Sequence, residues 1–329
     1  HSLATRLLPV HVINQLIYAK NLKELVTILH MTEYGAYISK DVELTPEYLY
    51  AQFKKVLLDR LVMILKSASG SLREILEEIL RIFEIDNLIL IFKNKWIREK
   101  IDPSKLVILP FSKINYQSLI ESKDSIELIN ILRSHDAYKS FREKIIDIIR
   151  KLNTPLPFEF ELYRIRYERL FSLLSKYRLL SDRDKIERIF RTEVDVVNIF
   201  LALAPVLYNY SPDLISQILI PYGLELDLKK LRELVYSKNR DIVAKLPRQY
   251  RDIGSHILNR KEREAYIIAQ RALRRYLLAH RIPSYISPYY VISFLKFCEY
   301  EFRDLSLIVN GIFYNVPPER IEQFLISIP

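Results

Sequence analysis

One cysteine, two methionines and five glycines in 329 residues exclude several function classes at the outset. A lone thiol, Cys298, forms no internal disulfide and no cysteine-based zinc site. That fits a reducing compartment, with a buried thiol as the plain reading. The glycines Gly35, Gly70, Gly223, Gly254 and Gly311 never cluster, so a Walker loop and a dinucleotide fingerprint are both missing. Enzymes that hold nucleotides on backbone amides are thereby disfavoured. No apolar run approaches the ~18 residues that a bilayer span needs; the longest, Ile199 to Leu207, is short and interrupted by Pro205. The chain is expected not to cross a membrane. Its start, His1-Ser2, has no charged segment leading into an apolar one, so no signal peptide is expected and the start reads as clipped. His11, His30, His135, His256 and His280 are scattered, without the i, i+4 spacing or neighbouring cysteines of a metal site, and no Gly-x-Ser-x-Gly elbow marks a nucleophile. No catalytic residue, metal or cofactor is expected.

Half of the residues are hydrophobic, enough for a substantial core in one large domain or two to three smaller ones. Lys and Arg outnumber Asp and Glu by 50 to 40, a formal charge of +10 with pI near 9.4. Such an excess points to a negatively charged partner: nucleic acid, an anionic membrane surface or an acidic protein face. Apolar residues recur at three- and four-residue spacing. Leu72, Ile75, Leu76, Ile79, Leu80 and Phe83, with Arg73, Glu74, Glu77 and Glu78 opposite, predict one amphipathic helix. Ile145, Ile146, Ile148, Ile149 and Leu152 predict another, ended by Pro155 and Pro157. The expected fold class is all-α.

An internal repeat is more informative than any single helix. Glu84 and Asp86 lead to Pro103, Glu193 and Asp195 to Pro212, and Glu299 and Glu301 to Pro318, each first acid about 19 residues before its proline and the copies about 105 to 110 residues apart. Three positions after each proline stands Leu106, Ile215 or Ile321, placed to face a core from a helix that the proline opens. A second element recurs out of phase: an aliphatic-Pro pair, a helix, a Lys-Asn or Lys-Asp break and another apolar helix. Its copies are Leu8-Pro9 with Lys20-Asn21, Leu109-Pro110 with Lys123-Asp124, and Ile220-Pro221 with Lys238-Asn239. Units of 1–108, 109–219 and 220–329 follow, each too open to bury its own apolar faces. We expect them packed side by side as a pseudo-threefold helical bowl or funnel.

Glutamate and aspartate two residues apart on a helix point about 200° apart, so Glu193 and Asp195 cannot converge on one substrate as general acid and base. A repeated packing or hydrogen-bonding role suits them better. Arg164, Arg166, Arg169, Lys176 and Arg178 lie among Tyr163, Tyr167 and Tyr177, and Arg271, Arg274, Arg275 and Arg281 accompany Tyr276. Arginine beside tyrosine could track a nucleic-acid backbone and stack bases. Interleaved acids (Glu159, Glu161, Glu168, Asp182, Asp184) read instead as a solvated, ion-paired helix face of a heat-adapted protein.

Three stretches, in this order, carry a family resemblance over nearly the whole chain. Leu25-Val26-Thr27-Ile28-Leu29-His30-Met31-Thr32-Glu33-Tyr34-Gly35 looks like a leucine-rich helix ending in a Thr-x-Tyr-Gly turn. Glu193-Val194-Asp195-Val196-Val197-Asn198-Ile199 is similar to a central Glu-x-Asp-x-x-Asn-Leu helix. Glu299-Tyr300-Glu301-Phe302-Arg303-Asp304-Leu305 through Gly311, followed by Val316-Pro317-Pro318-Glu319-Arg320-Ile321, matches a C-terminal signature. Together they resemble the C subunits of A-type and V-type rotary ATPases, whose eukaryotic counterpart carries the letter d. In the first copy, Glu84-Ile85-Asp86-Asn87-Leu88-Ile89, the Asn stands two positions early for that pattern. The resemblance implies a non-catalytic socket of the central stalk, peripheral on the cytoplasmic side of the plasma membrane. It would join the D and F subunits of the shaft to the proteolipid ring and pass torque between ion flow and ATP chemistry. Arg271, Arg274 and Arg275 are the candidate contacts, and composition suits a thermophilic archaeon. The rival reading is a helical-repeat nucleic-acid-binding protein.

Overall fold

Short polar side chains open many of the helices, and two of the Lys-Asn/Asp breaks are such starts. Before α2 (Leu22–Leu29), Asn21 accepts the Glu24 N–H at 3.0 Å while the Glu24 carboxylate accepts the Lys20 N–H at 2.9 Å. Asp124 and Glu127 repeat this capping box before α7 (Ser125–Arg133). Lys238-Asn239 lies outside the described residues, and the corresponding short helix, α13 (Ile242–Lys245), follows Asp241. This computed structural model describes residues 3–39, 41–177, 182–237, 241–280 and 287–328, and among them there is helix, turn and loop but no strand.

The chain forms two compact units. The first combines His1–Ser69 with Arg263–Pro329. It holds α1 (Val10–Ile17), α2, α3 (Pro46–Ser67), most of α15 (Glu262–Ala279), α16 (Pro288–Phe313) and α17 (Pro318–Glu322). Its core is α16, buried from Tyr289 to Phe302 except at Val291, with the buried charges Lys296, Glu299 and Glu301 held in ion pairs. The amphipathic α3 lies along it, presenting Leu49, Phe53, Val56, Leu57, Leu61 and Ile64. Each such fully buried side chain stabilises the unit by roughly 1.5–3 kcal/mol. Asn310-Gly311, a pair that often turns a hairpin, sits inside α16. A Cβ on Gly311 would come within 2.5 Å of Ile321 Cδ1, so the glycine lets α17 dock closely.

Residues Gly70–Glu262 make the second unit. Its helices are α4 (Gly70–Leu80), α5 (Ile82–Ile97), α6 (Tyr116–Glu121), α7, α8 (Lys144–Leu152), α9 (Leu156–Lys176), α10 (Arg183–Tyr208), α11 (Pro212–Ser216), α12 (Leu228–Val235), α13 and α14 (Arg251–Leu258). The single helix expected from Leu72 to Phe83 is two. It breaks at Arg81, whose side chain reaches both Glu78 on one side and Glu84 on the other, and Phe83 belongs to α5. Pro205 does not end α10, which runs three residues further because only its last turn loses a hydrogen bond. As the spacing predicts, α8 stops before Pro155, with Asn153 in the left-handed region at its end. No helix among the described residues is long and apolar enough to cross a membrane.

Candidate functional site

After each of three long helices the chain repeats one set of contacts. A buried segment that belongs to no helix must find partners for its backbone N–H and C=O groups. Asn87 on α5 accepts the Val107 N–H and donates to the Val107 carbonyl, both at 2.9 Å. Asn198 on α10 does the same to Ile220, at 2.9 and 2.7 Å. Asp304 on α16 stands in that place in the third copy and accepts two N–H groups, from Ile326 at 2.9 Å and Ser327 at 2.7 Å. Eleven residues beyond each of these clamps the backbone turns left-handed, at Arg98 (φ 60°), Asn209 (φ 55°) and Asn315 (φ 54°).

Three residues before each clamp sits a buried acid, and each acid takes a tyrosine hydroxyl. Tyr34 Oη donates to Glu301 at 2.7 Å, Tyr138 Oη to Glu84 at 3.3 Å and Tyr250 Oη to Asp195 at 2.8 Å. Burial first, then the carboxylate, pushes the Tyr34, Tyr138 and Tyr250 hydroxyls above their ordinary values, so they remain donors. The rest of each environment differs. Glu301 also takes Arg60 Nη1 at 2.7 Å and the Leu8 N–H at 2.5 Å. Arg60, 2 % exposed, further binds Glu33 and the Arg6 carbonyl and lies over the Tyr34 ring. Glu84 takes Arg81 Nη1 at 2.8 Å. Asp195 has no cation among the described residues: besides Tyr250 it accepts the N–H groups of Glu225 at 2.8 Å and Leu226 at 3.2 Å, and burial raises its pKa against these bonds. Tyr250→Phe therefore removes a hydrogen bond to a buried charge and is expected to cost about 1.5–3 kcal/mol. Tyr138→Phe, whose bond is longer and whose acid keeps Arg81, should cost less than about 1 kcal/mol. Equal losses in urea unfolding would contradict this account.

These contacts correct the register of the repeat. Spacing to the prolines aligns Glu84 with Glu193 and Glu299, and Asp86 with Asp195 and Glu301. Tyrosine and clamp instead place Glu84 with Asp195 and Glu301. The link from helix end to proline is two residues longer in the first copy, which offsets the acid shifted two residues later along its helix and keeps the interval near 19. Asp86 is half-buried. Glu193 faces Tyr167 Oη at 3.3 Å and Arg166 at 3.7 Å, and Glu299 faces Lys296 at 2.8 Å and Arg303 at 3.2 Å, so paired acids diverge as helical geometry requires. Pro103 opens a 3-10 turn, and Pro212 and Pro318 open α11 and α17. Leu106, Ile215 and Ile321 are all buried.

The basic stretches also separate. Arg164 pairs with Glu161 and Glu168, Arg169 with Glu78, and Lys176 with Glu74. Arg178 and Arg281 lie outside the described residues. Arg271 donates to the carbonyls of Leu325 at 2.9 Å and Glu322 at 3.0 Å, an internal task. Arg274 is half-buried and Arg275 exposed, and neither has an ion-pair partner among the described residues. Burial holds the Arg274 guanidinium below its ordinary value, with Asp304 opposing. Cys298 is buried, its thiol pushed up to about 12 by burial first. Among the described residues no three His, Cys, Asp or Glu converge. The tyrosines, clamps and Arg60 escape a reading based on acid-to-proline spacing. Aligning the copies on Asn87, Asn198 and Asp304 would have revealed them.

A sequence profile described as the ATP synthase (C/AC39) subunit matches residues 1–324. The chain belongs to that family. Relatives of this family member include the C subunit of the A-type ATP synthase of Methanocaldococcus jannaschii, 24% identical over 96% of this chain and 82% of that protein. The protein of the same name from Methanosarcina mazei is 28% identical over 82% of this chain and 74% of its own length. That from Desulfurococcus sp. is 25% identical over 98% and 87%.

Proposed function

We propose that the chain is the C subunit of an A-type ATP synthase and works there as a non-catalytic adaptor of the central stalk, joining the D and F subunits of the shaft to the proteolipid ring. The names of its relatives support the complex. What supports the adaptor role is the order in which acids and tyrosines pair. The acid of the first copy takes the tyrosine of the second (Glu84, Tyr138), that of the second takes the third (Asp195, Tyr250), and that of the third returns to the first (Glu301, Tyr34). Such a cyclic order suits three units, 1–108, 109–219 and 220–329, closed into a pseudo-threefold bowl. A closed ring locked by buried hydrogen bonds resists shear, which a torque-bearing joint needs and which requires no reactive group. A broad polar contact surface fits that task, with Arg274 and Arg275 as the cations left available for an acidic partner. The ion-paired state of Arg164, Arg169 and Lys176 gives a nucleic-acid stripe no support.

The test is capture of the purified D and F shaft proteins, and of detergent-solubilised proteolipid ring, at low and physiological salt with and without nuclease. Stoichiometric capture that survives nuclease is expected. Arg274→Glu with Arg275→Glu should weaken it at least tenfold with the helical content unchanged, and full capture by that variant removes both arginines from the interface. Retention of nucleic acid in place of shaft and ring would overturn the adaptor reading.

A further inference from the structure

Two of the three clamps are neutral amides, and the third is an acid. Asn87 and Asn198 each meet one N–H and one carbonyl, which an amide satisfies at any pH. Asp304 meets two N–H groups, and it is 2 % exposed with no ion pair among the described residues. Its surroundings contrast with those of Glu161, equally enclosed but gripped directly by Arg142 and Arg164 and held below the ordinary carboxylate range by those bonds against its burial.

We propose that Asp304 and the segment 325–328 form a proton-sensitive clasp, held more tightly when the carboxyl is protonated. In the closed form the carboxylate is cut off from water, and three neutral donors, the Ile326 and Ser327 amides and the Ser327 hydroxyl, compensate only part of that loss. When the segment lifts, water reaches the carboxylate and its proton affinity falls to the ordinary value. The closed form therefore binds the proton more tightly, and by linkage the proton stabilises the closed form. Burial raises the carboxyl to about 6 against the Ile326 and Ser327 bonds and the field of Arg274. The sign follows: the closed form is favoured below the ordinary carboxyl value, and that preference is lost as pH rises through about 6.

The other charged and titratable groups near the clasp come from α15, α16, α3, α1, α2 and α17. From α15 come Arg274 and Arg271, the latter tied to the Leu325 and Glu322 carbonyls, so that it hinges the segment independently of pH. On α16 itself Tyr300 is adjacent, and α3 brings Arg60, engaged by Glu301 and Glu33. The charged groups of α1 and α2 (His11, Lys23, Glu24) are exposed, as are Glu319 and Arg320 of α17, whose Glu322 is half-buried. Opening has somewhere to go: a cavity of about 470 Å³ within the same unit is lined by Ser327, Arg274 and Glu301.

Hydrogen exchange of the full chain between pH 5 and 8, corrected for the intrinsic rate, tests the clasp. The Ile326 and Ser327 amides should lose protection by up to about tenfold across that range, most of it between pH 5 and 7. Val107 and Ile220, held by Asn87 and Asn198 in the same sample, should stay level and serve as controls. Asp304→Asn should abolish the slope even if it lowers protection at every pH. A flat or rising profile at Ile326 and Ser327, or a slope that persists in Asp304→Asn, overturns the proposal. If that variant does not fold, the wild-type comparison with Val107 and Ile220 decides alone.

Discussion

Arg60→Ala is expected to lower the unfolding free energy by about 3–5 kcal/mol, because it strands a buried carboxylate. Arg60 Nη1 is one of three donors on Glu301, and the same guanidinium ties Glu33 and the Arg6 carbonyl, so its removal unties three groups at once. The attraction of the pair is not the source of the loss. Taking two charges out of water costs nearly what their attraction returns, so the pair as a whole adds little, whereas half of it is costly. Arg60→Met combined with Glu301→Gln should accordingly recover most of the stability lost by Arg60→Ala. Denaturant midpoints of wild type, both single variants and the double variant, with the slope held constant, give the cycle. A loss below about 1 kcal/mol for Arg60→Ala would mean that Glu301 is hydrated, contrary to its burial.

Helix content and most helix positions were legible because they depend on local periodicity and on prolines and caps close in sequence. Ile145 to Leu152 needs nothing beyond its own spacing to be read as α8. The break at Arg81 was hidden because apolar spacing continues through it. Pro205 misled in the opposite direction. A proline in the last turn removes one hydrogen bond, and the packing of Leu201, Ala202 and Leu203 outweighs that loss.

Contacts across large sequence separations were not legible. Acid and proline in each copy are visible as a pattern, but which acid takes a tyrosine is set by a residue 54 or 55 positions away in two copies and 267 away in the third. Equal spacing to proline even favoured the wrong register, since two compensating offsets leave the interval unchanged. Charge in a stretch of sequence is similarly ambiguous. Arg271, Arg274 and Arg275 look alike within one helix, yet only the fold separates the one that holds internal carbonyls from the two without such partners.

The clamps account for how three non-helical segments stay buried, and they carry the second large effect. Asn198→Ala leaves the N–H and the carbonyl of Ile220 without partners in a site where Ile220 is fully buried. Each orphaned group costs about 1–3 kcal/mol, so a loss of about 2–5 kcal/mol is expected. Asn198→Asp should separate the two halves of that interaction. At neutral pH its carboxylate still accepts the N–H but faces the Ile220 carbonyl, acceptor against acceptor. On acidification the protonated oxygen can donate to that carbonyl as the amide did. The folded-state carboxyl is thus raised above its unfolded value, and stability relative to wild type should recover as pH falls from 7 toward 5. Urea unfolding at both pH values reads this directly. An Asn198→Asp loss that is independent of pH would mean that water, not the Ile220 backbone, faces the side chain.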